Sequence, residues 1–394
     1  MYMMDTVRST RLAELEKADQ GAIAEFWEAV QAQGAPLFER TEQGDWLVTF
    51  LWRSEQDDDV YVFSGPAGWD HAQNKFERLG ETDIWYKTCR TPDRAPAMYY
   101  YIVQDRYGED WAERRKHFTA DPFNPHRVVV PSHQDLPNPG YFGSMLLTPG
   151  TSQTPYNTWR SDVPQGEMTE HRFQSAILND ERSIYVHTPP GYSADGKPYP
   201  VLFLFDGIAY HTVIPGTTAI ENLLAAGEIP PLVTVMINNT RRRNEELRCN
   251  DDFVKFVVTE ALPWVREHYH VTTDPADSII GGASNGGLCA LYIAMKHPDL
   301  FGNVLSQSGT VGYSRDGQTD RPLLRELASR EQIPLRFSLQ VGTMEGPQIL
   351  EPNRELHDLL TERGVTVHYA EYVGDHDFLC WAEIFPAALK ALLK

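Results

Sequence analysis

The stretch Ile279-Ile-Gly-Gly-Ala-Ser-Asn-Gly-Gly-Leu288 decides the reading of this chain. It contains Gly282-x-Ser284-x-Gly286 between an apolar run and a helical pattern, the arrangement of a nucleophile elbow. A serine at such a corner adopts a strained backbone. A side chain two positions to either side would collide with the adjoining strand or helix, so both places call for glycine. The following helix turns its N-terminus toward the serine and favours negative charge there. No Gly-x-Gly-x-x-Gly is present, so a dinucleotide loop is excluded. Outward from the corner the pattern alternates. Strands are expected at Ile184 to His187, Pro200 to Phe205, Leu232 to Ile237, Ser278 to Ile280, Val304 to Ser306, Leu335 to Val341 and Val365 to Tyr372. Helices are expected at Asp252 to His268, Gly286 to His297, Asn353 to Arg363 and from Trp381 onward. Near-continuous apolar strands alternating with helices predict a doubly wound, mostly parallel α/β sheet over residues 164–394.

A serine hydroxyl needs a base. On elbows of this kind the partners follow in the order Ser, acid, His, with the histidine just before the last helix. Of the thirteen histidines, His376 in Val373-Gly-Asp-His-Asp-Phe378 has that place. The acid should follow the strand Leu335 to Val341, which makes Glu345 in Gly342-Thr-Met-Glu-Gly346 the first choice and Glu351 the second; a dyad without a firm acid stays open. Asp375 and Asp377 are too close in sequence to turn easily onto the ring between them. An oxyanion hole needs two backbone N–H groups. Asn285, after the serine, would supply one, and the loop Asp206-Gly207-Ile208 the other, with Gly207 permitting close approach of a ligand.

Arg241, Arg242, Arg243 and Arg248 cluster beyond the strand Leu232 to Ile237, at the carboxyl end of the sheet where ligands bind in open α/β folds. Two readings stand side by side: a clamp for an anionic or catecholate ligand, using the fixed donor fork of arginine, or a solvated run paired with Glu245 and Glu246.

Composition narrows the partners. There are 35 Lys plus Arg against 55 Asp plus Glu, a net charge of −20. Such a chain repels phosphate backbones and anionic lipid, so neither nucleic acid nor a membrane is an expected partner. No run approaches the length of a membrane span, and the start Met1-Tyr-Met-Met-Asp-Thr-Val-Arg8 has neither the apolar core nor the small-residue site of a signal peptide. Cys89, Cys249, Cys289 and Cys380 form no CxxC pair, and no HExxH or similar spacing occurs; His268 and His270 merely flank Tyr269 at a helix end. A reducing, cytoplasmic setting is expected, with neither a structural metal nor a cofactor.

The first 150 residues have a different texture. Ser9 to Ala32 reads as one amphipathic helix capped by Ser9. Asp45 to Trp52, Asp59 to Phe63 and Met98 to Val103 read as strands rich in aromatic and β-branched residues, which predicts an all-β sandwich behind the helix. Pro131 to Val163 is linker chemistry, interrupted by Tyr141, Phe142, Met145, Leu146 and Leu147.

Further motifs add up to a resemblance. They are Pro189-Pro-Gly-Tyr192, Leu204-Phe-Asp-Gly207, Arg243-x-x-Glu246-Leu247-x-Cys249-Asn250, Gly282-Ala-Ser-Asn-Gly-Gly287, Leu305-Ser-Gln-Ser-Gly309, His376-Asp377-x-x-x-Trp381 and, in the first half, Asp121-Pro-Phe-Asn-Pro125. With these, the C-terminal half resembles the esterase D-like branch of the α/β-hydrolases. The whole chain resembles the two-domain enterochelin (enterobactin) esterases. There are two departures. Asp375 stands where that family has the second Gly of Gly-Gly-His-Asp, and Glu345 is followed by Gly346, with the expected Pro one place later. The resemblance implies hydrolysis of the ester bonds of a cyclic trilactone of dihydroxybenzoyl-serine, which releases chelated iron inside the cell, and an N-terminal domain that helps wall the substrate cleft. Alternatives are an esterase or acyltransferase acting on another aryl or aminoacyl ester, and a non-catalytic ligand-binding protein. The oligomeric state is not legible in the sequence.

Overall fold

In the computed structural model, residues 9–56, 58–105, 108, 111–136, 140–151, 153–314 and 321–393 are described. Their contacts form two units. One comprises Met1–His133, Pro137–Ser152 and Val373–Cys380; the other comprises Gln134–Leu136, Gln153–Tyr372 and Trp381–Lys394. The second unit is thus interrupted near its end, because the eight residues of Val373–Cys380 group with the N-terminal part of the chain.

The first unit is a two-sheet sandwich. Its strands are β1 (Leu37–Arg40), β2 (Trp46–Arg53), β3 (Val60–Phe63), β4 (Glu77–Arg78), β5 (Ile84–Thr91), β6 (Pro96–Val103), β7 (Phe118–Thr119), β8 (Arg127–Val130) and β9 (Tyr141–Leu147). One sheet has the order β1-β2-β5-β4 and the other β3-β6-β9-β8, with β7 also on β6; all pairings are antiparallel. Val48, Phe50, Trp85 and Cys89 of the first sheet pack on Val60, Val62, Tyr99, Tyr101 and Leu146 of the second. The alternation of inward and outward residues along each strand produces this shared core.

The single N-terminal helix expected from the sequence is two helices, Thr10–Leu15 and Gln20–Gln33. Ser9 caps the first, accepting from the Leu12 N–H, and Asp19 starts a second by accepting from the Ala22 N–H at 2.9 Å. Leu12, Phe26, Trp27 and Val30 bury against Leu51, Ile84 and Tyr86. Within the expected linker, Tyr141–Leu147 is a full strand, because its aromatic and aliphatic residues complete the ladder between β6 and β8.

Asp121-Pro-Phe-Asn-Pro125 builds a buried polar centre for the sandwich. The Asp121 carboxylate accepts from Tyr99 Oη (2.8 Å), Tyr101 Oη (2.9 Å) and the Phe123 N–H (2.8 Å). Asn124 Nδ2 donates to Tyr99 Oη and to the Met145 carbonyl. Burial pushes the Asp121 pKa up, and these donors counter it. The motif therefore stabilises the fold of this unit.

The second unit holds an eight-stranded sheet formed by β10 (Glu167–Ser175), β11 (Asp180–Thr188), β12 (Val201–Phe205), β13 (Val233–Ile237), β14 (Ser278–Ala283), β15 (Asn303–Gln307), β16 (Arg336–Gly342) and β17 (Val367–Tyr372). The order is β10-β11-β13-β12-β14-β15-β16-β17. The last six strands in sequence are parallel, and β10 and β11 form an antiparallel edge. This is the mostly parallel α/β-hydrolase sheet expected from the alternating pattern. β12 and β13 are buried along their whole length, as strands covered on both faces must be. The expected helix Asp252 to His268 runs as Asp251–Phe256, a wider π turn at Val257–Ala261 and Leu262–His268. Pro263, which has no N–H to return to the helix, lies two residues beyond the widened turn.

Candidate active site

β14 ends at Ala283 and a helix opens at Asn285, so the chain reverses on Ser284 alone. Ser284 has φ 58° and ψ −122°, a region that side chains rarely enter and that costs of the order of 1–3 kcal/mol. Backbone bonds on both sides hold it there. Its N–H donates to the Gln307 carbonyl at 2.8 Å, and its carbonyl accepts from Leu288 and Thr310, each at 3.2 Å. A Cβ on Gly282 would stand 2.9 Å from the Gly286 backbone, which is why the corner closes only with glycine at that place. Gln307 is fully buried; its amide bonds Gln340, the Trp381 carbonyl and Tyr210 Oη.

The expected oxyanion residues lie in the same unit. Asn285 heads the helix Asn285–Lys296, so its N–H belongs to the first turn, which has no acceptor within the helix. Its side chain is fixed: Nδ2 donates to Asn244 Oδ1 (3.0 Å) and Oδ1 accepts from Thr310 Oγ1 (2.7 Å). Asp206 adopts a left-handed conformation (φ 60°, ψ 47°) and Gly207 begins a short helix to His211. A Cβ on Gly207 would lie 2.8 Å from the Met236 carbonyl, so this loop fits against the end of β13 only with glycine. The Ile208 N–H donates to Asn238 Oδ1 at 3.3 Å.

The four arginines part company. The Arg243 guanidinium grips both carboxylate oxygens of Asp206 at 2.5 and 2.7 Å, and Asn239 Nδ2 also donates to Asp206 Oδ1. Arg242 pairs with Asp180 at 2.8 Å and donates to the Leu178 carbonyl. Arg241 is exposed. Arg248 lies over the Tyr313 ring, 5.2 Å from its centroid, with a buried Nε that has no hydrogen-bond partner among the described residues. Arg182, not singled out from the sequence, joins Asp180 to the buried Glu246 of the Arg-x-x-Glu motif, at 2.7 and 2.9 Å.

The two acid candidates differ in surroundings. Glu345 is buried, and its Oε1 accepts from the Gly342 N–H (2.8 Å), Ser308 Oγ (2.5 Å) and Tyr372 Oη (3.4 Å). Trp381 Nε1 in turn donates to Ser308 Oγ at 3.0 Å. Glu351 is exposed on the helix Pro347–Glu362 and pairs with Arg354. Ser308 therefore belongs to the surroundings of Glu345, a place that the sequence marks only as part of Ser-Gln-Ser-Gly.

His376 is half-buried in the segment between β17 and the last helix, Phe378–Leu393, and groups with the first unit. Its neighbours Asp375 and Asp377 are both buried. Burial raises the Asp377 pKa to about 7; the Asp375 charge adds to this and three backbone N–H groups oppose it. Among the described residues no group of three or more His, Cys, Asp or Glu side chains is placed to hold a metal ion, and no helix is long and apolar enough to cross a membrane. Cys89, Cys249, Cys289 and Cys380 form no disulfide.

A strained serine between a parallel strand and a helix, on a sheet of this order, is the architecture of a hydrolase, and the sequence comparison gives the class: the model of the Esterase family matches residues 175–392, and the chain belongs to that family. A second model, "Enterochelin esterase, N-terminal", matches residues 47–144, within the sandwich. Among curated relatives, the iron(III) enterobactin esterase of Escherichia coli O6:H1 is 29% identical over 384 residues, covering 89% of this chain and 92% of that protein. Among solved structures, the enterobactin esterase of Shigella flexneri in the presence of enterobactin has a TM-score of 0.76 at 27% identity, covering 93% of this chain and 97% of the other. The ferric enterobactin esterase of Salmonella typhimurium has a TM-score of 0.77 at 25% identity, covering 94% and 98%.

Proposed function

We propose that this esterase hydrolyses the ester bonds of a catecholate siderophore such as enterobactin, iron-loaded or iron-free, in the cytoplasm, so that chelated iron is released. The carrying observation is the strained Ser284 corner in a chain that also has the enterochelin esterase N-terminal domain. Similarity to enterobactin esterases over 89% and 93% of this chain supports the substrate class.

In this reading Ser284 Oγ attacks an ester carbonyl while the His376 imidazole takes its proton, and Glu345 holds the ring and stabilises the imidazolium. The oxyanion is met by the N–H of Asn285 and by an N–H of the Gly207–Ile208 loop. His376 then protonates the departing serine alkoxide of the substrate. Water attacks the acyl-enzyme, its proton passes to the imidazole, and Ser284 is regenerated. No cofactor enters; iron is cargo of the ligand. Of the arginine cluster, Arg241 and Arg248 are the members left to meet an anionic catecholate, since Arg242 and Arg243 are engaged in ion pairs with Asp180 and Asp206.

Mass spectrometry after incubation with ferric and iron-free enterobactin tests the proposal. Linear fragments and dihydroxybenzoyl-serine are the expected products. Intact siderophore beside enzyme that turns over another ester would overturn the substrate, and loss of fluorophosphonate labelling at Ser284 in a folded protein would overturn the serine mechanism.

A further inference from the structure

The segment around His376 occupies a vacancy in the sandwich. On the β3 side of β6, the ladder covers only Tyr100–Val103, paired with Val60–Phe63; on the other side β9 pairs with residues 96–99. Among the described residues, the first half of β6 therefore has one edge without a strand, in a buried setting where backbone groups need partners. Pro96 has no N–H to offer, and its carbonyl accepts from Cys380 Sγ at 3.2 Å. The Met98 N–H donates to Asp377 Oδ2 at 3.1 Å.

We propose that Asp377 is a positioning residue for His376, pinning the histidine segment to the open edge of β6. The proposal rests on the reading that His376 is the base. The carboxylate is divided between two tasks. Oδ2 takes the Met98 N–H, and Oδ1 caps the last helix, accepting from Leu379 at 2.8 Å and Cys380 at 3.1 Å. The Asp377 N–H also closes a tight turn onto the Asp375 carbonyl at 3.0 Å, with His376 at its middle. The peptide that presents the imidazole is thus fixed at both ends, and one anchor lies 279 residues away in sequence. On this account the β6 edge sets where the imidazole stands. Asp377 touches no reacting atom; it acts through its neighbour.

Two substitutions in the full chain separate the tasks. Asp377→Ser keeps a helix-capping oxygen and loses the reach to Met98. Asp377→Asn keeps one oxygen and sets an NH₂ group against the Met98 N–H. For each, kcat is expected to fall about 10- to 100-fold with KM unchanged, the scale of a misplaced catalytic group. Phosphonylation of Ser284 should slow by the same factor, and amide exchange at Met98 should speed up. Turnover and labelling within twofold of wild type in a folded variant would overturn the proposal, even if its melting temperature dropped, because that is what a purely structural cap predicts. Should the Ser variant fail to fold, the Asn variant decides by the same criteria. Wild-type turnover in His376→Ala would instead remove the base assignment, and the pinning role with it; intact base behaviour with unaffected Asp377 variants removes the pinning role alone.

Discussion

The corner that carries Ser284 and the segment that carries His376 are held by different kinds of contact. Ser284 is fixed by the main chain. Its N–H and carbonyl bond Gln307, Leu288 and Thr310, and the glycine at 282 lets strand and helix close on it. The His376 segment lies outside any ladder, and a side chain, Asp377, ties it to β6. A main-chain scaffold tolerates exchange of the side chain it presents. A side-chain tether fails when one atom is changed. With Ser284 as the proposed nucleophile and His376 as the proposed base, the first should be robust in place and sensitive only in chemistry, and the second sensitive in place as well.

The largest effect falls on chemistry. Ser284→Ala and His376→Ala should each lower turnover by at least about 10³-fold, with circular dichroism and melting temperature close to wild type. Ser284→Gly should be equally inactive yet more stable, by of the order of 1–3 kcal/mol, because glycine adopts φ 58° without strain. A Gly variant no more stable than the Ala variant in urea titrations would show that the corner stores no strain.

The acid comes next. Glu345→Gln should cost about 10²-fold or more in kcat, since a neutral amide no longer stabilises the imidazolium. Glu351→Gln should stay near wild type, because that carboxylate pairs with Arg354 on an exposed helix face. Steady-state rates for the pair decide the assignment, and the reverse ranking would move the acid to Glu351.

The same contrast explains what was legible in the sequence. The elbow is a local pattern of five residues, and the parallel strands are apolar runs, so both were readable from neighbours alone. The sandwich is legible as a class, but β1, β4, β5, β7 and β8 carry no clear local pattern and β9 falls inside the expected linker, because short antiparallel strands owe their pairing to partners far along the chain. Asp377 is too close to His376 in sequence to turn easily onto the ring, so the sequence gives it no role. Its actual partner, the Met98 N–H, has no side-chain signature at all. Only its place just before a helix, where Asp caps, offered a hint. Arg243 illustrates the converse. Its cluster was visible, but its ion pair with Asp206 required coordinates.

Arginines within that cluster sharpen the comparison at a smaller scale. Arg243 braces Asp206, whose left-handed backbone aims the loop at Gly207, so Arg243→Lys should lower kcat by about tenfold while KM stays constant, a single Lys donor being unable to reproduce the two-point grip. Arg241→Ala should raise KM for the ferric siderophore severalfold with kcat preserved. Kinetics showing a KM effect for Arg243→Lys would place it on the ligand instead.

The tether also differs from the corner in the pH dependence of stability. Asp377 has its pKa raised to about 7, chiefly by burial and further by Asp375, against an unfolded value near ~3.9. Between those values the folded state binds the extra proton, so this group lowers stability as pH rises, by up to about 1.4 kcal/mol per pH unit, and contributes no slope above the folded pKa. The Ser284 corner contains no titrating group and should contribute none. Urea midpoints at pH 5.5 and 7.5, taken for wild type and Asp377→Ser, isolate the term: the advantage of wild type over the variant should shrink toward pH 7.5. An advantage that grows with pH would mean that the carboxylate is held charged, with its three backbone donors outweighing its burial.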